Sequence, residues 1–228
     1  MHLTYHWHAF VEIETWNSRI FIDPFITGNS HITKPLEYFL NRKATHIVLT
    51  HWHSDHIGDT EIIAKNCNTQ VIASYEIVHY VQQVFWHKNA WWMGIGGSHS
   101  FWDFTLKLFQ AFHGGGVWNS GNGWSCFPTW VIIRACGKNI YHAGDTGLTY
   151  DMKLLGEYDS IDVAFLPIGD NFTMGLDDAV IATTFINPKK VVPIHYDTFA
   201  PIKVDVSEFI EKVWEKGLFL KVGETIEV

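Results

Sequence analysis

The chain has 228 residues, 47% of them hydrophobic, and a formal net charge of -8. A chain of this size supports a substantial core, it holds no apolar run of the roughly 18 residues that a membrane-crossing helix requires, and its acidic balance disfavours extended contact with nucleic-acid backbone. Cys67, Cys126 and Cys136 form no Cys-x-x-Cys pair and are too few for a disulfide framework, and the start Met1-His2-Leu3-Thr4-Tyr5 shows no secretory pattern, so a cytoplasmic protein with small core cysteines is expected.

In chain order, strands are expected over residues 3–12, 19–23 and 45–50, a helix over 59–65, a strand over 70–73 and a helix over 75–85. Residues 85–130 hold Trp86, Trp91, Trp92, Trp102, Trp118, Trp124 and Trp130 of the chain's 11 tryptophans. Trp102 and Trp130 are assigned to the core, whereas the glycine-rich stretches 91–97 and 117–124 read as long loops that wall a pocket or form a subunit contact. A strand over 104–112 leads to His113. Further strands fall at 129–134, 139–142, 161–167 and 191–194, alternating with helices at 150–158 and 176–186. A last helix places Val206, Phe209, Ile210, Val213 and Trp214 on one face and stops at Gly217. No linker or low-complexity stretch divides the chain, so one domain spanning 1–228 is expected.

The densest chemistry lies in Thr50-His51-Trp52-His53-Ser54-Asp55-His56, directly after the apolar run Ile47-Val48-Leu49. On extended backbone His51 and His53 project to the same side and can grip one ion, while Asp55 and His56 follow a turn and can face a second. Imidazole and carboxylate suit zinc and neighbouring first-row ions. His113, Asp145 and His195 each end a strand-like run and break into turn residues, and together with the cluster they form a set converging on one sheet edge.

These residues resemble the metallo-β-lactamase superfamily, whose five motifs appear in order: Asp23 in Ile20-Phe21-Ile22-Asp23-Pro24, the His-x-His-x-Asp-His cluster, His113, Asp145 and His195. The phrases Tyr141-His142-Ala143-Gly144-Asp145-Thr146-Gly147, Leu166-Pro167-Ile168-Gly169-Asp170 and Pro193-Ile194-His195-Tyr196-Asp197 are similar to a small branch related to L-ascorbate-6-phosphate lactonase. The resemblance implies an α/β fold, a four-layer αββα sandwich of two similar halves. It also implies that His51, His53 and His113 hold one ion, that Asp55, His56 and His195 hold another, that Asp145 bridges the two, and that Asp23 supports the metal-binding loop without ligating. Trp52 and Gly114-Gly115 depart from the family's usual small and hydroxyl residues, which bears on the pocket mouth rather than on the ligands.

Two divalent ions roughly 3.5–4 Å apart can share a hydroxide, because coordination lowers the pKa of water toward about 7. The expectation is a binuclear hydrolase that directs a metal-bridging hydroxide at a small ester, lactone or phosphodiester. Asp55, Asp145 and His8 are the candidate catalytic residues, with His8, His142 or Asp170 as proton donor to the leaving group. Zinc is the first expectation for the two ions, then manganese, with nickel and iron also compatible. The expected partner is a small-molecule substrate, not a membrane or nucleic acid, with a homo-oligomer open. The alternatives are a metal-binding sensor or scaffold without turnover and, among enzymes, an RNA-processing nuclease.

Overall fold

The computed structural model describes residues 1–119 and 122–228. Strands β1 (His2–Tyr5), β2 (Val11–Glu14), β3 (Arg19–Ile22), β4 (His46–Val48), β5 (Gln70–Ser74) and β6 (Ala90–Met93) form one sheet in that order, and β15 (Glu224–Glu227) joins its edge beside β1. A second sheet has the order β14 (Lys190–Ile194), β13 (Val163–Pro167), β12 (Lys138–His142), β11 (Thr129–Ala135), β8 (Phe104–Gln110) and β7 (Ser98–Ser100). Each sheet has an antiparallel part that passes into a parallel one, at β3–β4 in the first and at β12–β13 in the second. That shared plan is what two similar halves require, and it sends the carboxyl ends of β3, β4, β8, β12, β13 and β14 toward the loops that bear the candidate donors.

Strand alternation builds the layers. Ile20, Ile22, Val48 and Ile72 face a core shared with Leu106, Leu108, Val131 and Ile133 of the second sheet. Phe21, Ile47, Leu49 and Val71, their neighbours in sequence, point the other way. There they meet Phe39, Ile63, Ile77 and Val81 from α1 (Leu36–Asn41), α3 (Thr60–Cys67) and α4 (Tyr75–Val84). Met152, Ala179, Ala182 and Phe209 from α5 (Asp151–Tyr158), α6 (Leu176–Ile186) and α7 (Val206–Val213) pack with the second sheet. The result is the expected helix, sheet, sheet, helix sandwich. Among the described residues no helix is long and apolar enough to cross a membrane.

Four expectations change. The strand over 3–12 is broken: His6 N–H donates to Phe10 C=O and Phe10 N–H to Trp7 C=O, with Trp7 at φ 90° and His8 at φ 59°. Residues 91–93 belong to edge strand β6, and the stretch 117–124 lies within a hairpin of β9 (Gly116–Asn119) and β10 (Asn122–Ser125), whose tip, Ser120 and Gly121, is outside the described residues. Trp102 is 88% exposed, whereas Trp130 is buried as expected. The last helix stops at Val213, because Trp214 takes φ 55° and turns an 81% exposed ring away from the apolar face assigned to it; Gly217 only ends the short 3-10 turn that follows.

Candidate metal centre

The cluster is shaped by what surrounds it. After β4, His53 takes extended backbone at the position just before α2 (Ser54–Ile57), so that His56 sits on a single helical turn. Gly58 ends that turn at φ 40°, and a Cβ there would lie 2.4 Å from the Pro24 carbonyl oxygen, so the tight return needs glycine. The carboxylate of Asp59 then takes the backbone N–H groups of Ile26 and Thr27, tying the loop after β3 to the cluster.

Asp23, fully buried, sets the orientation of two imidazoles. It accepts from the Thr50 backbone N–H at 2.9 Å, from the Thr50 hydroxyl at 2.6 Å and from His56 Nδ1 at 2.8 Å. Since the Thr50 hydroxyl gives its proton to Asp23, it can only accept from His51 Nδ1, 3.0 Å away. The far nitrogen of each ring thus carries a proton and Nε2 faces inward, the orientation that metal-ligating histidines take.

All seven expected donors converge. His51 Nε2 lies 3.0 Å from His53 Nδ1, which lies 3.2 Å from His113 Nε2. Asp145 Oδ2 stands 3.9 Å from His51 Nε2 and 3.5 Å from His113 Nε2, and its ligand atom and theirs, with that of His53, fall within 4.8 Å of one another. On the other side Asp145 lies 3.2 Å from His56 Nε2 and 3.1 Å from His195 Nε2, and Asp55 Oδ2 lies 3.8 Å from His195 Nε2. Asp55, His56 and His195 form a second group of the same tightness, in which His8 joins them. Asp145 therefore stands between the two groups.

The electrostatics fit a cationic guest. Burial, with the charge of neighbouring imidazoles, holds His51, His53 and His113 below the ordinary histidine range, in the neutral form that ligates. Burial opposes charge at His56 and His195 too, but Asp145 with Asp23 or Asp55 outweighs it, raising His56 and pushing His195 up to about 9. Burial likewise works against the Asp55 and Asp145 carboxylates and is overcome by the surrounding imidazoles, which hold both well below the usual range. The pocket thus draws positive charge to the place where the donors meet. His56 Nε2, Asp145 Oδ1 and both ring nitrogens of His195 are buried without a hydrogen-bond partner, although their neighbours are close. Unpartnered polar atoms at this depth are costly, and a metal ion is the group that this set of imidazoles and carboxylates is suited to hold.

The remaining candidates separate clearly. His8 is fully buried, its Nε2 3.1 Å from Asp55 Oδ2 and its Nδ1 2.9 Å from the Thr198 hydroxyl. A carboxylate only accepts, so Nε2 carries the proton and Nδ1 accepts from Thr198. Burial and the facing His195 push His8 down to about 4, which keeps the ring neutral. His142 spends Nε2 on the Ala9 carbonyl and Nδ1 on the Gly144 N–H, both inside the protein. Asp170 is exposed at φ 58°, in the loop after β13. Trp52 points away from the donors, packing edge-on against Tyr80 while its Nε1 donates to Gly115 C=O at 3.2 Å. Its bulk therefore braces the segment after His113. The side chain of Trp118 lies outside the described residues. Thr198 had no sequence signal beyond its place three residues after His195.

The sequence matches the beta-lactamase superfamily domain over residues 18–196. It is 49% identical over 233 residues to a UPF0173 metal-dependent hydrolase of Geobacillus sp. (strain WCH70), and 48% identical over 235 residues to one of Anoxybacillus flavithermus (strain DSM 21510 / WK1), with 100% of each chain covered in both cases. Igni18, a metallo hydrolase from the hyperthermophilic archaeon Ignicoccus hospitalis KIN4/I, shares the fold with a TM-score of 0.89 and 35% identity, over 99% of this chain and 97% of its own.

Proposed function

This chain belongs to the beta-lactamase superfamily and is a metal-dependent hydrolase, and from that premise we propose that it works with two ions on a small ester, lactone or phosphodiester. The observation that carries the reading is the position of Asp145, whose carboxylate lies within 3.9 Å of imidazole nitrogens from both donor groups. One ion would be held by His51, His53 and His113, the other by Asp55, His56 and His195, with Asp145 between them. Zinc is the first choice for both, and manganese, nickel and iron share the same ligand chemistry.

Two such ions supply Lewis acidity toward the scissile carbonyl or phosphoryl oxygen and bring the pKa of water toward about 7. The chain's own residues do the rest. Asp23 and Thr50 lock the tautomers of His51 and His56, so that both Nε2 lone pairs face inward without reorganisation. His8 holds Asp55 by one ring nitrogen and is itself held by Thr198, which makes it a positioning residue rather than a proton donor. His142 is committed to backbone partners, which removes it as a proton donor to the leaving group.

Metal analysis of protein purified without chelator, followed by a panel of activated esters, lactones and phosphodiesters, tests the reading. About two ions per chain and turnover abolished by Asp145→Ala are expected. Two ions with uniform inactivity would favour a sensor or scaffold instead, and no uptake of zinc or manganese would sink the site itself.

A further inference from the structure

Segments 23–33, 50–59, 111–116, 123–128, 143–149, 168–175 and 195–202 carry the candidate donors or adjoin those that do, and all 16 lysines and arginines of the chain lie outside them. Backbone hydrogen bonds bring these segments together. Gly147 N–H donates to Phe112 C=O, Cys126 N–H to Gly115 C=O, Met174 N–H to Thr146 C=O, and Ile168 N–H to Ile194 C=O. What the segments present instead is aromatic. Phe112, Phe127 and Phe172 are exposed, each in a segment that also carries a donor or is hydrogen-bonded to one that does, whereas Tyr150 turns to Phe185 and takes the Lys153 ammonium on its hydroxyl at 3.2 Å. Phe25 and Phe199 flank His8 edge-on, with ring centroids 5.6 Å and 5.5 Å from it and 6.4 Å from each other. The charged side chains on the rim outside the donor set, such as exposed Asp170, are acidic.

A phosphate or carboxylate that does not itself react needs a guanidinium, an ammonium or a nest of N–H groups to replace its water. Ions at the floor of the site can take the scissile group, but a second anionic group farther out would meet aromatic rings and carboxylates, on a chain already at net charge -8. An aryl or alkyl group in the same place gains from leaving water and from edge-on ring contacts. We infer that the non-reacting part of the substrate is uncharged and apolar, so that the site takes a neutral aryl or alkyl ester or lactone. This rests on the hydrolase reading above and narrows its substrate class.

The test uses matched esters on the metal-loaded protein: one leaving group, with the acyl part either a plain phenyl ring or a phenyl ring bearing a remote phosphate or carboxylate. The neutral ester is expected to have a kcat/KM at least about tenfold higher, and the deficit of the anionic ester should shrink with added salt as repulsion is screened. Phe172→Ala should raise KM for the neutral ester with metal content unchanged, Phe172→Arg should move the ratio toward the anionic ester, and Lys203→Ala, just past the last segment, should leave the ratio as it is. Equal or better turnover of the anionic ester overturns the inference while leaving the hydrolase reading intact. If neither ester turns over, that reading is what has failed. Calorimetric titration with benzyl alcohol and 4-(hydroxymethyl)benzenesulfonate, whose sulfonate is a poor metal ligand, then decides the inference separately, and tighter binding of the sulfonate would overturn it.

Discussion

His8 and Asp55 are joined by a 3.1 Å contact from ring nitrogen to carboxylate oxygen, although 47 residues separate them in sequence. The same histidine also accepts the His195 backbone N–H on its carbonyl and lies ring to ring with His195 at 4.0 Å. One residue therefore steadies two donors of the same group, one through its side chain and one through its main chain. His8→Phe keeps the ring's volume but removes the hydrogen bond, and is expected to lower metal affinity in that half of the site by roughly 10–100-fold. His8→Gln, which retains a donor, should recover part of the loss. Metal stoichiometry and kcat measured together check this; a drop in kcat at full metal occupancy would assign His8 a different role.

Asp23 has no contact with substrate in this scheme, yet it gathers three donors in a fully buried position. Asp23→Ala strands the Thr50 N–H, the Thr50 hydroxyl and His56 Nδ1 without a partner. The expected cost is about 3 kcal/mol of folding stability, together with weaker metal binding because the tautomers of His51 and His56 are no longer held. Urea unfolding of the metal-free protein separates the first effect from the second, and an unchanged midpoint would refute it.

Removing metal leaves two carboxylates and five imidazoles crowded together. A ligand present at about 1,000 times its Kd stabilises by about 4 kcal/mol, and for a chain of this size each kcal/mol moves Tm by about 2–4 °C. Exhaustive chelation is therefore expected to lower Tm by roughly 8 °C or more, with recovery on adding zinc. A Tm indifferent to both treatments would argue that the donors are not coupled to folding.

Stability should also depend on pH through Glu12, whose buried carboxylate is met by His6 at 2.9 Å, by Arg42 at 2.8 Å and by Arg19 at 3.0 Å. Burial opposes its ionisation, but the hydrogen bonds from His6 and Arg42 outweigh that and hold it below its ordinary value of 4.5. A group depressed in the folded state stabilises above its unfolded pKa and loses that contribution as pH falls through the folded value. Glu12→Gln is expected to cost about 2 kcal/mol at pH 7, and the gap between variant and parent should narrow as pH drops below 4.5. A gap constant from pH 7 to 3 would rule out the ion cluster as its cause.

The candidate metal donors are legible in sequence because each is announced locally. His51, His53, Asp55 and His56 share one short segment, and His113, Asp145 and His195 end strands whose apolar runs are plain. What surrounds them was less so. Nothing in Tyr5-His6-Trp7-His8 signals that Trp7 and His8 leave the β region for φ 90° and 59°, since neither is glycine or asparagine; the fold imposes that turn through the hydrogen bonds that clamp it. Without the turn His8 reads as an ordinary strand residue. Trp91 and Trp92 looked like loop because glycines follow them, but Ala90–Met93 pairs with β5 in parallel, and only a long-range partner could reveal an edge strand. Trp102 reads as core from hydrophobicity, a property that many surface rings share, and Trp214 from a helical spacing that the chain abandons one residue earlier.

The donors stand at strand ends or on one helical turn locked from behind, whereas the rings that face an incoming molecule stand on loops joined to the scaffold by a few main-chain hydrogen bonds. Grip and taste are thus encoded in different residues. If the inferred apolar substrate is right, exchange of Phe112 or Phe172 would redirect what the protein accepts while the geometry around Asp145 is inherited unaltered.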